Sequence, residues 1–127
     1  MKNAAVDMVV VNAEQHTVVL LTGEMDRASA PRIRERLRDL ARRPLILDVA
    51  GVSFFDAEGV RILSACAREC EAHDAAMAMV GVRPFAARMF RVLGLEERVS
   101  LCATTDEALW CIVPRTDAEI SAWLTGE

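Results

Sequence analysis

Asp56 and Glu58, within FFDAEGVRIL (54–63), place two carboxylates on either side of an alanine. Glu24 and Asp26 form a second acidic pair, and Asp48 lies between the two in the chain. Clustered carboxylates suit a hard divalent cation, so Asp48, Asp56 and Glu58 could serve a metal-dependent enzyme. Against that reading, the chain has no phosphate-cradling glycine loop and no base or nucleophile beside the acids. His16 and His73 fall at separate loop positions and make no catalytic pair. Cys66 and Cys70 stand one helical turn apart and could chelate a metal or sense oxidants, but their apolar company reads as core. No metal site and no cofactor is expected.

The same acids have a second use, because an acid at a helix start caps exposed backbone N–H groups and complements the helix dipole. Seven arginines crowd the stretch from Arg27 to Arg43; interspersed with Glu35 and Asp39, they read as a solvated helix face ahead of an anionic-partner site. A formal charge of −4 argues against a general nucleic-acid binder. At 127 residues the chain is expected to be one domain, residues 1–127, with 114–127 as a short C-terminal extension. No apolar run approaches the roughly 20 residues that span a bilayer, and the N-terminus lacks the apolar stretch of a secretory signal. A cytoplasmic protein with reduced thiols is the expectation.

Elements that would position these residues follow from periodicity. VDMVVVN (6–12) and HTVVLLTG (16–23) read as a β-hairpin. A helix then opens with Ser29 as cap and Pro31 in its first turn, and carries Ile33, Leu37, Leu40 and Ala41 on one face. LILDVAGV (45–52) is apolar enough to be the central strand, ended near Asp48. A second helix from Gly59 turns Ile62, Leu63, Cys66, Ala67 and Cys70 inward. AAMAMVG (75–81) is a strand, and Pro84 starts a helix bearing Phe85, Met89, Val92 and Leu93 until Gly94 stops it. RVSLCA (98–103) is an edge strand; Thr104 and Glu107 have capping-box spacing for a helix ended by Pro114, and Thr116 and Glu119 repeat it for a terminal helix. Trp110 and Trp123 either cover a core edge or anchor an interface. This order predicts an α/β fold with a mixed sheet of four to five strands and about four to five helices packed mainly on one face. The acids would share the edge where the strands end.

Three segments in register, LTGEMD (21–26), LDVAGVSFFDAEGV (47–60) and FRVLGLEE (90–97), resemble the STAS domain of bacterial anti-sigma-factor antagonists over about residues 5–110. The resemblance implies a regulatory binding protein that catalyses nothing. In that family the domain docks an anti-sigma kinase and thereby frees a sigma factor for transcription. The kinase reverses this by phosphorylating the first serine of a D-S-[ST]-G segment, and a phosphatase restores the free form. Similar small STAS proteins serve as subunits of lipid-transport ATPase assemblies, which is the alternative reading. A homodimer is left open.

The chain departs from the pattern where it matters most, because Ala57 stands at the phosphoacceptor position and cannot take phosphate. Glu58 supplies a fixed negative charge one residue on, smaller than a phosphate and aimed elsewhere. Ser53 and Ser64 are nearby hydroxyls that do not fit the phosphoacceptor position. The resemblance and the helix-start chemistry together assign a partner surface to Glu24, Asp26, Ser53, Asp56, Ala57, Glu58, Gly59 and Arg61. Within it Asp56 is expected to cap the helix, Glu58 to complement its dipole, and Gly59 to ease the turn or admit a partner closely. With the serine gone, binding is expected to be persistent or controlled in another way.

Overall fold

In the computed structural model of the chain, which describes residues 6–113 and 117–126, five strands form one sheet in the order β1-β2-β3-β4-β5. β1 (Asp7–Asn12) runs antiparallel to β2 (Thr17–Met25). β2, β3 (Leu45–Phe55), β4 (Met77–Val80) and β5 (Ser100–Cys102) are mutually parallel. Helices α1 (Ala30–Leu40), α2 (Ala57–Ala72) and α3 (Pro84–Val92) alternate with the parallel strands, as strands of one direction require. α4 (Thr105–Ile112) and α5 (Asp117–Thr125) complete the described elements.

Alternation along β3 divides two cores. Leu45, Leu47 and Val49 join Ile33 and Leu37 of α1 and Leu63 and Cys66 of α2 in the larger one. Ile46, with Ala78 and Val80 of β4, meets Ala108 and Ile112 of α4 on the opposite face. The sheet is thus covered on both faces at β4 and at the start of β3, which explains why Met77–Val80 and Leu45–Leu47 read as unbroken apolar runs. β3 is central, and β5 is an edge strand.

β2 and β3 each outrun the sequence expectation, ending at Met25 and Phe55 rather than Gly23 and Val52. Two register shifts, between Leu20 and Thr22 and between Gly23 and Glu24, let the strands stay paired to Met25 opposite Phe55. Asp48 therefore sits inside β3, opposite Leu20, and does not end it. Its Oδ1 accepts from Ala50 N at 3.0 Å.

Two further expectations are corrected. On α3 the buried residues are Ala86 and Phe90, whereas Phe85, Val92 and Leu93 are exposed. Phe90 is buried edge-on against Phe55 at 5.2 Å, while Phe85 meets the same ring from farther off, at 6.4 Å, and stays partly exposed. Gly94 does stop that helix, at φ 77°, and leads into a 3-10 turn (Leu95–Glu97) that buries Leu95. Ser29 makes no side-chain capping bond to α1. Thr104 caps α4 as expected, its hydroxyl accepting from Glu107 N at 3.1 Å. Pro114 and Thr116, expected to end α4 and to cap α5, lie outside the described residues. α5 buries none of its side chains, and Trp123 touches Trp110 with ring centroids 5.5 Å apart.

Candidate functional site

Because β2 and β3 are parallel and end side by side, the segments that leave them emerge together at one edge of the sheet. Asp26 and Asp56 close those two segments. Asp26 Oδ1 accepts from Ala28 N and Ser29 N, both at 3.0 Å. The Ser29 hydroxyl turns back instead, accepting from Asp26 N at 3.1 Å and lying 3.1 Å from the Glu24 carbonyl it donates to. Ser29 is already helical in backbone conformation, so Asp26, three residues earlier, takes over the accepting role at the start of α1.

Asp56 binds both segments. Its Oδ1 accepts from Gly59 N at 2.9 Å, capping α2, and its Oδ2 accepts from Arg27 N at 2.9 Å across the gap. Its own N–H donates to the Met25 carbonyl at 3.2 Å. Hydrogen bonds to an ionised acceptor are roughly twice as strong as neutral ones, so this carboxylate fixes the two segments relative to each other. α2 begins at Ala57, two residues before the sequence suggested.

Gly59 is buried, and a Cβ placed on it would lie 2.2 Å from Met25 O. Its lack of a side chain lets α2 rest on the end of β2. The expectation that it admits a partner closely is corrected, since Met25 fills that space. Ala57, by contrast, is exposed. Glu58 is half-exposed and ion-paired with Arg61 one turn on. Such a surface pair contributes at most about 1 kcal/mol, so both charges can be redirected by an incoming molecule. Ser53 is exposed and donates to Gly23 O at 3.3 Å. Glu24 lies in β2 opposite Phe54, in strand rather than loop.

Phe54 completes the edge. Its ring is 46% exposed, and with Asp26, Arg27, Ala28 and Asp56 it lines a shallow hollow of about 560 Å³. Periodicity read β3 as finished before Phe54. The signal was present in the doubled aromatic, because adjacent strand residues face opposite ways and Phe55 is buried against Phe90.

Asp48 does not join the other acids. Among the described residues no three His, Cys, Asp or Glu side chains are grouped to hold a metal ion, and both Asp56 oxygens are engaged by backbone N–H groups. No described helix is long and apolar enough to cross a membrane.

Cys66 and Cys70 are buried free thiols. Their mutual hydrogen bond pushes the Cys66 thiol up, with burial adding to it, and pulls Cys70 down. Burial first, then the neighbouring Cys111, pushes Cys102 up to about 11. A thiol whose folded pKa is raised favours the folded state below its unfolded value, and that contribution is lost as pH rises through the folded value. The chain has no tyrosine and its only lysine is Lys2, so thiols dominate alkaline titration. Unfolding midpoints in urea are therefore expected to fall from pH 9 to pH 11, and Cys102→Ala to flatten that fall. An unchanged profile in the variant would show that Cys102 ionises equally in both states.

The mixed sheet with parallel crossovers places a helix start, capped by Asp56 and exposed at Ala57, at one edge of a domain of the α/β class. The STAS domain family model matches residues 7–108, and the chain belongs to that family. Osmosensory protein A of Mycobacterium tuberculosis is 34% identical over 85 residues, 61% of this chain. The match takes in 54% of that protein, so the chain spans about half the length of the curated relative it matches. An anti-sigma factor antagonist from Mycobacterium paratuberculosis superposes with TM-score 0.75 at 24% identity, covering 85% of this chain and 94% of the other. The anti-sigma factor antagonist SpoIIAA in its unphosphorylated form superposes with TM-score 0.64 at 20% identity, covering 81% and 92%.

Proposed function

We propose that this protein is a non-enzymatic regulator acting in the cytoplasm, an anti-sigma-factor antagonist that sequesters an anti-sigma kinase and so releases a sigma factor. Its docking surface comprises the end of β2, the segment Asp26–Ala28, and the start of α2. Glu24, Ser53, Phe54, Ala57, Glu58 and Arg61 meet the partner, while Asp26, Asp56 and Gly59 hold that surface in shape. The observation that carries this reading is the exposed Ala57 at a helix start braced by Asp56. A helix N-terminus presents N–H groups and a positive dipole end, a place where an added phosphate would be tolerated and would alter docking. With alanine there, docking is not subject to that switch, and Glu58 contributes a constant negative charge.

The reading is tested by titrating the intact 127-residue chain with candidate anti-sigma kinases in a calorimeter. Glu58→Lys reverses a charge on the surface and is expected to weaken binding at least tenfold, with a melting temperature within about 5 °C of wild type, because the lost Arg61 pair and helix-dipole contribution are surface effects of about 1 kcal/mol each. Equal affinities of the two proteins would remove the α2 start from the interface.

A further inference from the structure

Two of the seven arginines between Arg27 and Arg43 have structural work. Arg32 donates to Val6 O at 2.9 Å, and Arg43 donates to the carbonyls of Ala13 and His16. Arg34 and Arg38 do not. They lie one turn apart on α1 and line a groove of about 720 Å³ against α2, and Arg68 reaches the same groove from the α2 side. The same three arginines, together with Ala65, Cys66 and Glu69, also line a smaller hollow of about 110 Å³. None of the three forms an ion pair or a side-chain hydrogen bond within the described residues, although Glu35 and Glu69 line the same space.

Like charges four residues apart on a helix are mildly destabilising, and a third across the groove adds to that. The cluster stands on a chain whose net charge is −4. Planar guanidinium groups bind carboxylate and phosphate oxygens through paired N–H donors, and three of them match the two negative charges and three oxygens of a phosphate monoester. The hollow has room for one such group. The larger groove, lined also by Ala30, Ile62 and Ser64, would take the body of the molecule that carries it.

We propose that the α1–α2 groove is a binding site for a phosphate monoester, its phosphate held by Arg34, Arg38 and Arg68. The site does not depend on the partner assigned above, and it would place a second anion-sensitive point beside the α2 start, since Glu58 and Arg61 line the same groove.

The test is an amide NMR titration of the intact protein with inorganic phosphate, pyrophosphate and a phosphoserine hexapeptide. Saturable shifts are expected in residues 34–38 and 61–69. The double variant Arg38→Ala/Arg68→Ala should weaken binding at least tenfold, while Arg36→Ala, which removes an exposed arginine of the same helix from outside the groove, should change it less than twofold. Melting temperatures of the double variant should equal or exceed wild type without ligand, because like charges have been removed. Tightest binding of the peptide would identify a protein-borne phosphate, tightest binding of pyrophosphate a free metabolite, and equal binding a site that reads the phosphate alone. Shifts spread over all exposed arginines, an equal effect of Arg36→Ala, or no saturation at 20 mM phosphate would overturn the proposal.

Discussion

Gly59→Ala is expected to lower unfolding free energy by about 3 kcal/mol, the upper end for forcing an extra methyl into packed surroundings. The added Cβ would lie 2.2 Å from Met25 O and 2.9 Å from Met25 C. Both are backbone atoms of a strand paired on its other side to Phe55, so nothing nearby can turn aside as a flexible side chain would. Relief requires lifting α2 off β2, which also pulls Gly59 N from Asp56 Oδ1. Helix propensity alone favours alanine by about 1 kcal/mol, so a net loss isolates the packing term. Chemical denaturation read by circular dichroism measures it. A variant as stable as wild type would mean that α2 can rise freely, and that the docking surface is not rigidly braced.

Ala57→Ser is expected to have the largest functional effect. Incubated with ATP and the anti-sigma kinase proposed as its partner, the variant should incorporate phosphate while wild type does not. Ala57 is exposed and directly follows the capping Asp56, so a hydroxyl there is accessible without unfolding. A phosphate would bring a charge of about −1.5 to −2 next to Glu58, and binding to the kinase should fall at least tenfold, or about 1.4 kcal/mol. Unphosphorylated Ala57→Ser should bind like wild type, which separates loss by charge from loss by shape. Intact-mass spectrometry and calorimetry read the two steps. Phosphate appearing on wild-type Ser53 or Ser64 would place the switch elsewhere and end the case for a permanently set surface.

Strand order and most of the helices were legible because each buries a periodic apolar stripe. Met77–Val80 lies within its expected stretch, and Ile62, Leu63, Cys66, Ala67 and Cys70 all face inward. Legibility failed where two periodic patterns meet. Ser53 interrupts the apolar pattern of β3, yet the strand continues, because Phe54 and Phe55 pair with Glu24 and Met25. Ser29 looked like a cap by residue type, but capping depends on which acceptor the chain turn brings near the free N–H groups, and there it is Asp26. On α3 the choice of buried face followed from Phe55, thirty-five residues away from Phe90.

By itself the amino-acid sequence determined the α/β alternation, the capping of α2 by Asp56, and the absence of a hydroxyl at position 57, since these depend on residue type and local spacing. Tertiary structure alone decided that Asp56 also clamps Arg27, that Gly59 serves Met25, that Asp48 stands apart from the other acids, and that Arg34, Arg38 and Arg68 share one groove. Each of those is a contact between segments distant in the chain, and its geometry exists only once parallel strands and the helices above them are packed together.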